Sequence, residues 1–328
     1  MKTICKVIVV LLSIFLPMVA VQAQVQKRHE VSLSFGAGFS TLYNDLPNFR
    51  YNQKIGQTGG LHYTYFINEN FGISSGAEIG YYQSEVKIPS LIGEYSSNNG
   101  NEDFIFHFQG ENYREIQEAT YLNIPLMFQY QTNGTHKFFI SAGGKIGIPI
   151  GLLDKNYDSN FRSLNTSGYF QNRTVVIDDS KSEGFGSYPS LRTTGKITFE
   201  NTFIGSVESG MKWRVADNMS VYTGIYVDYG FNDIFRDRNR TEKFVEYNAQ
   251  NPSQIKINSV INSLYLHMNE EIPFQKKVYL VAYGLKLRFS FDLGDVIGVS
   301  PSRPKKKAKS QINNNSPIKV IRYEWPTE

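Results

Sequence analysis

Eight charged residues lie on the polar phase of segments whose other phase is apolar: Glu78, Lys145, Glu208, Lys212, Asp228, Lys286, Arg288 and Asp292. Alternate residues of an extended chain share a face. These charges therefore collect on faces otherwise built of Gly, Ser and small side chains. Glu78, Lys145, Glu208, Asp228 and Lys286 fall near the middle of their segments. Lys145 and Glu208 lie on sequential neighbours, as do Asp228 and Lys286. If the shared face is enclosed, opposite charges on it must pair, because an isolated buried charge is costly. Glu78, Lys145, Glu208, Asp228, Lys286 and Arg288 are thus expected to form an ion network. Two roles are open to it: plugging the interior, or gating a narrow pore.

Other chemistry has little to work with. The five histidines, His29, His62, His107, His136 and His267, sit in no recognisable Ser/His or Asp/His motif. By pattern His62 points inside, His136 occupies a short turn, and His107 and His267 lie in long connections. No catalytic residue is assigned, and a hydrolase with its site at a rim is the least favoured reading. The one cysteine, Cys5, precedes an apolar run, so the chain beyond that run has no disulfide or thiolate metal site. Asp178-Asp179 and Glu270-Glu271 read as solvated loop surface, with a divalent cation bridging lipopolysaccharide as the alternative. "GFGSYPS" and "SAGGKIG" do not open helices, so no nucleotide loop is present. Neither metal nor cofactor is expected.

The segments that position these charges are written in a strict two-residue rhythm. In "YLNIPLMFQYQTNGTHKFFISAGGKIGIPI", Leu122, Ile124, Leu126, Phe128 and Tyr130 alternate with mostly polar neighbours. After Asn133-Gly134, Phe138, Ile140, Ala142, Gly144, Ile146 and Ile148 resume the beat. The same pattern starts at Val31, Leu61, Phe71, Phe203, Val221 and Tyr279. Each run approaches the nine to eleven residues with which a tilted strand crosses a bilayer. The connections near Asn68, Asn133 and Asp217 are short. Those at 41–55, 84–117, 150–201 and 232–277 are long. Apolar outward positions suit lipid, and unpaired backbone amides in hydrocarbon force the sheet to close. A secreted sandwich also alternates, but its solvent face would carry more Lys, Glu and Thr than these small residues. The prediction is an all-β chain: a closed antiparallel transmembrane β-barrel of eight strands, with ten as the alternative. Its short turns are periplasmic and its long loops extracellular. Asn133-Gly134 is expected to supply the positive φ angles of a tight hairpin. Pro125 lacks a ladder donor, so a bulge or locally weakened pairing is expected there, satisfied by an interior side chain or water.

Composition agrees. Aromatics make up 14% of 328 residues, with 21 Tyr, 23 Phe and 27 Gly, and the mean hydropathy is −0.34. Lys2 and Lys6 precede an apolar run from Val7 to Val21, and Val21-Gln22-Ala23 suits cleavage before Gln24. Residues 1–23 therefore read as a signal peptide, 24–294 as the barrel and 295–328 as a flexible periplasmic tail rich in Pro, Ser, Asn and Lys. Removing Lys2 and Lys6 leaves basic and acidic residues nearly balanced, so a nucleic-acid partner is not expected. Phe104, Phe106 and Phe108 alternate within a long loop, which suggests an aromatic hairpin continuing above the membrane. "SVINSLYLHM" reads as a short helix or an extra strand.

"ATYLNIPLMFQY" resembles the Tyr-Leu-Glu/Asn-Ile-Pro-Leu strand of Bacteroidetes-type outer-membrane β-barrel proteins, the PorT-like or OmpA/OmpX-like group. Tyr121, Leu122, Asn123, Ile124, Pro125 and Leu126 carry the motif, and the pattern extends from about Val31 to Leu293. The resemblance implies an outer-membrane location. Some PorT-like members serve protein secretion, and no catalytic set carries over. The chain departs from the two-domain OmpA pattern, since the stretch after Asp295 is too short for a peptidoglycan-binding domain. The expected function is a structural or partner-binding role through the extracellular loops, with a small pore or secretion-accessory barrel as the alternative. Expected partners are outer-membrane lipid and lipopolysaccharide, the barrel-assembly machinery, and an envelope or secretion protein. Phe289 and Phe291, near the end of the last strand, are expected to serve as its assembly signal.

Overall fold

The computed structural model describes residues 29–43, 50–235, 242–267, 270–274 and 277–293. The expected signal peptide and C-terminal tail lie outside these residues. The strands, in chain order, are β1 (His29–Tyr43), β2 (Arg50–Phe66), β3 (Phe71–Asn98), β4 (Asp103–Gln131), β5 (His136–Pro149), β6 (Tyr157–Phe170), β7 (Val175–Ile177) and β8 (Gly186–Gly195). They continue with β9 (Thr202–Ala216), β10 (Met219–Gly230), β11 (Glu242–Lys243), β12 (Val245–Glu246), β13 (Lys256–Ile257), β14 (Ser263–His267), β15 (Glu270–Pro273) and β16 (Tyr279–Leu293).

Eight of these strands close a ring in the order β3-β2-β1-β16-β10-β9-β5-β4, with β4 returning to β3. Every pairing in the ring is antiparallel. The first and last strands meet along their whole length, from His29 opposite Leu293 to Tyr43 opposite Tyr279. The chain is therefore a closed eight-stranded transmembrane β-barrel, and the ten-stranded alternative is not adopted. The outward series is apolar and exposed: Phe35, Phe39, Ile79, Leu126, Phe128, Ile225, Leu285 and Leu287 among others. The inward series is buried and mixes small and polar side chains with large ones such as Tyr82, Phe139 and Tyr222. Where Gly38 of β1 meets Gly284 of β16, an added Cβ on Gly38 would lie 2.1 Å from the Tyr283 carbonyl oxygen, so only glycine fits this close approach.

One local expectation changes and a second holds in part. The β4–β5 connection spans four residues, 132–135, and only Gly134 takes a positive φ, of 119°. It is thus a four-residue loop with one left-handed position, not the two-residue turn that Asn-Gly suggests. Pro125 is buried on the inward series, yet no register shift marks it. The ladder is interrupted, with Ser75 opposite Leu126 and the next pair at Glu78 and Asn123. The Pro125 carbonyl is satisfied by the Ser75 hydroxyl at 2.8 Å, from the outward series and not from the interior. The register shifts lie elsewhere, between Gln53 and Gln57 on β2 and between Met219 and Ser220 on β10.

Beyond the barrel mouth the sheet continues. β3 and β4 stay paired up to Asn98 and Asp103, which is the aromatic hairpin expected from Phe104, Phe106 and Phe108. The 150–201 connection, read from sequence as plain loop, instead forms β6, β7 and β8. β6 adds to the upper half of β4, and both β7 and β8 pair with β6. "SVINSLYLHM" resolves in favour of a strand, β14, which pairs with β11 and β15. These pieces enclose a second apolar core outside the barrel, containing Phe106, Tyr113, Phe161, Phe185, Phe244 and Ile257.

Candidate functional site

The barrel interior is filled from bottom to top, and the strand on which each side chain sits decides its level. At the periplasmic end Glu30 of β1 accepts from Lys212 Nζ at 2.5 Å and from Tyr222 Oη at 3.1 Å. The Lys212 ammonium lies over the Phe66 and Tyr222 rings, 5.2 and 4.9 Å from their centroids. Both faces of this cation are thus satisfied.

The middle level holds the six residues singled out in the sequence, joined in one chain of alternating sign. Lys145 Nζ donates to Asp228 Oδ2 at 2.9 Å and to Glu78 Oε1 at 3.0 Å. Lys286 Nζ donates to Glu78 Oε2 at 2.9 Å and to Glu208 Oε1 at 2.5 Å. Arg288 donates to Glu208 Oε2 at 2.7 Å and to Gln129 Oε1 at 3.1 Å, and its guanidinium stacks over Tyr222 at 4.7 Å. Strand adjacency suggested other partners, Lys145 with Glu208 and Asp228 with Lys286. The contacts instead reach across the lumen, because inward side chains of this length meet at the axis of a narrow barrel. Three cations balance three carboxylates. Asp292, on the same series as Arg288 and Lys286, is only half-buried, near the periplasmic end of β16.

Above this level the inward positions carry apolar and aromatic side chains. Tyr82, Tyr121, Leu42, Ile204, Tyr226 and Leu280 form one buried cluster, and Asn123 donates to Tyr82 Oη at 2.9 Å.

The structure puts His62 and His107 where the pattern placed them, and His136 at the first position of β5 just past the turn expected for it. His62 is inside, His136 is exposed at the start of β5, and His107 is on the extracellular part of β4, with Nδ1 2.9 Å from Glu94. His267 closes β14 in the 232–277 segment. Ser34, His62 and Glu78 come together in an order that invites a hydrolase reading. The Ser34 hydroxyl is 2.7 Å from His62 Nε2, but Glu78 approaches the same nitrogen, at 4.0 Å. A relay needs the serine and the acid on opposite ring nitrogens, and all three side chains are buried in the barrel interior. Among the described residues no group of three or more His, Cys, Asp or Glu side chains is placed to hold a metal.

Sequence reading missed Glu30, although it shares the phase of Ser32 and Ser34 and only the chosen start of β1 hid it. It also missed Glu115 of β4, above the barrel. That carboxylate is buried and accepts from Ser259 Oγ at 2.5 Å, Gln117 Nε2 at 2.7 Å, the Val260 N–H at 3.1 Å and the Tyr113 hydroxyl. Burial raises its pKa above the ordinary glutamate value, and the four donors offset this only in part.

A family model described as "Outer membrane protein beta-barrel domain" matches residues 22–236. No curated protein matches the chain. Among solved structures, Neisserial surface protein A is 9% identical with a TM-score of 0.31, covering 82% of this chain and 98% of its own. OprG from Pseudomonas aeruginosa is 10% identical with a TM-score of 0.35, covering 83% and 100%. Ail of Yersinia pestis, solved with the heparin analogue sucrose octasulfate, is 9% identical with a TM-score of 0.27, covering 80% and 99%.

Proposed function

Since the chain belongs to the outer membrane protein β-barrel domain family, we propose that it is a closed, non-conducting barrel that displays a structured extracellular β-cap to a protein or glycan partner. One observation carries this reading. Side chains bridge the lumen at three successive levels, while the residues outside the membrane have an apolar core of their own. A barrel that served as a conduit would need a continuous polar path. Here the mid-lumen charges neutralise one another, and an aromatic and aliphatic layer lies above them. A display role, by contrast, needs a rigid platform. β3 and β4 supply one, since each runs unbroken from the periplasmic turns into the cap. A rim hydrolase finds no support in the Ser34–His62–Glu78 geometry.

Planar-bilayer recording of the purified protein tests the reading. The expected result is no steady conductance, with cross-linking on intact cells joining the cap to an envelope or surface partner. Stable, reproducible single-channel steps would overturn it in favour of a pore.

A further inference from the structure

Outside the lumen, strand register assembles a feature that no single sequence window contains. Arg50 on β2 stands opposite Lys87 on β3, and Lys87 opposite Arg114 on β4. Arg114 stands opposite Asn160 on β6, which is itself opposite Arg192 on β8. Residues directly opposite share a face, so four cations form one row across five strands. The row is on the outer surface. The side chains of Lys87, Arg114 and Arg192 are 47%, 51% and 68% exposed, whereas the neighbouring Val86 and Glu115 are buried on the other face.

Like charges placed directly opposite repel, and the row is held together from below. Glu85 accepts from Arg114 and, at 2.8 Å, from Asn52, and it lies 3.3 Å from Lys87 and 3.4 Å from Lys54. Burial would push this carboxyl up, but Asn52, Arg114 and Lys87 outweigh it and hold the pKa at about 2. Asp158 makes a forked pair with Arg192, and Glu118 accepts from Gln83 at 3.0 Å. The band therefore sets Arg50, Lys54, Lys87, Arg114 and Arg192 against three carboxylates.

Height identifies what the row meets. On β3 the outward aromatic series ends at Tyr81, and Lys87 stands six residues further along. A strand rising about 3.3 Å per residue and tilted about 40° places the row roughly 15 Å above that aromatic level. This is the zone of the outer-leaflet headgroups. Farther out the same wall carries both signs, with Arg162, Glu111, and Glu94 paired with His107.

We propose that the Arg50–Lys87–Arg114–Arg192 row binds the phosphorylated sugar headgroup of a glycolipid in the outer leaflet. Guanidinium groups match phosphate oxygens in a fork, and lysines add point charge. Glu85 keeps three cations converged without cancelling them. The row continues the lipid-facing belt upward, so a headgroup reaches it while its acyl chains lie against the barrel wall.

The test uses the full-length protein in detergent, titrated with bisphosphorylated lipid A, with phosphate-free lipid A and with inorganic phosphate. Retained lipid is counted by native mass spectrometry. The triple variant R50A/K87A/R114A should bind lipid A roughly a hundredfold more weakly, and R50K/K87R/R114K, which keeps the charge but exchanges two forks for one, should bind more tightly than the alanine variant and more weakly than wild type. Heat-dependent gel mobility confirms that each variant is folded. Wild-type affinity in the alanine variant, equal binding of the phosphate-free lipid, or inorganic phosphate binding as tightly as lipid A would each overturn the proposal. If the alanine variant does not fold, the comparison of phosphorylated and phosphate-free lipid on the wild-type protein still decides.

Discussion

At the scale of single residues, the lumen network behaves as a chain of six links in which position decides cost. Asp228 is a terminal acid, and among the described residues Lys145 is the cation in contact with it. Removing Lys145 strands Asp228, while Glu78 keeps Lys286. Breaking a buried pair from one side leaves an uncompensated charge, at a cost of about 3–5 kcal/mol. Removing both partners leaves Glu78, Lys286, Glu208 and Arg288, two acids and two bases still joined. K145M is therefore expected to lower unfolding free energy by about 3–5 kcal/mol, and D228N/K145M to recover more than half of that loss. Urea unfolding of the barrel in detergent, followed by tryptophan fluorescence, measures both. A double variant no more stable than the single one would mean that the charges act independently.

At the scale of elements, what could be read in advance depended on how many masters each strand serves. The outer face of β5 or β16 meets only lipid, and its inner face only a narrow lumen, so Phe138, Ile140, Ile146 and Ile148, or Tyr283, Leu285 and Leu287, keep an outward apolar beat, even where Phe139 or Leu280 puts an apolar side chain inward. β6 lies above the membrane, where water and protein share both faces. Its buried series mixes Phe161, Leu164 and Phe170 with Ser159, Thr166 and Gly168, and the apolar beat disappears. The six mid-lumen residues were legible for the same reason that the strands were, by phase. Their partners were not, because the contacts cross the lumen between strands that are not neighbours. The basic row was illegible altogether, since register alone brings Arg50 level with Arg192. β16 carries a further consequence of phase. It joins both β1 and β10, with Phe289 exposed to lipid opposite Leu33 and Val221. Phe291 lies two residues later, at the periplasmic end. If this edge guides closure of the ring, F289S/F291S should reduce the folded protein recovered in outer membranes. The measurement is the heat-modifiable fraction on a gel, and undiminished folded protein would refute the role.

At the scale of the whole molecule, the barrel sheet runs on through β6, β7 and β8 into the cap, two small sheets (β11-β14-β15 and β12-β13) complete it around a second core, and Glu115 ties the 256–263 segment to the β4 wall. Ser259 and the Val260 N–H both donate to that carboxylate. Val260 belongs to the outer core and Ile261 to the inner one, so the tie sits where the two cores meet. Its energetics depend on pH in a definite direction. Burial raises the Glu115 pKa above its unfolded value, so folding favours the protonated form. The stabilisation that this provides is fully present below about 4.3, the ordinary glutamate pKa, and is lost as pH rises through the higher folded value. Amide hydrogen exchange in 256–263, corrected for its intrinsic pH dependence, should therefore quicken as pH rises from about 4.3 through the raised Glu115 value. E115Q, which stays neutral and keeps one acceptor oxygen, should flatten that dependence. Equal pH dependence in E115Q and wild type would place the control of the cap elsewhere.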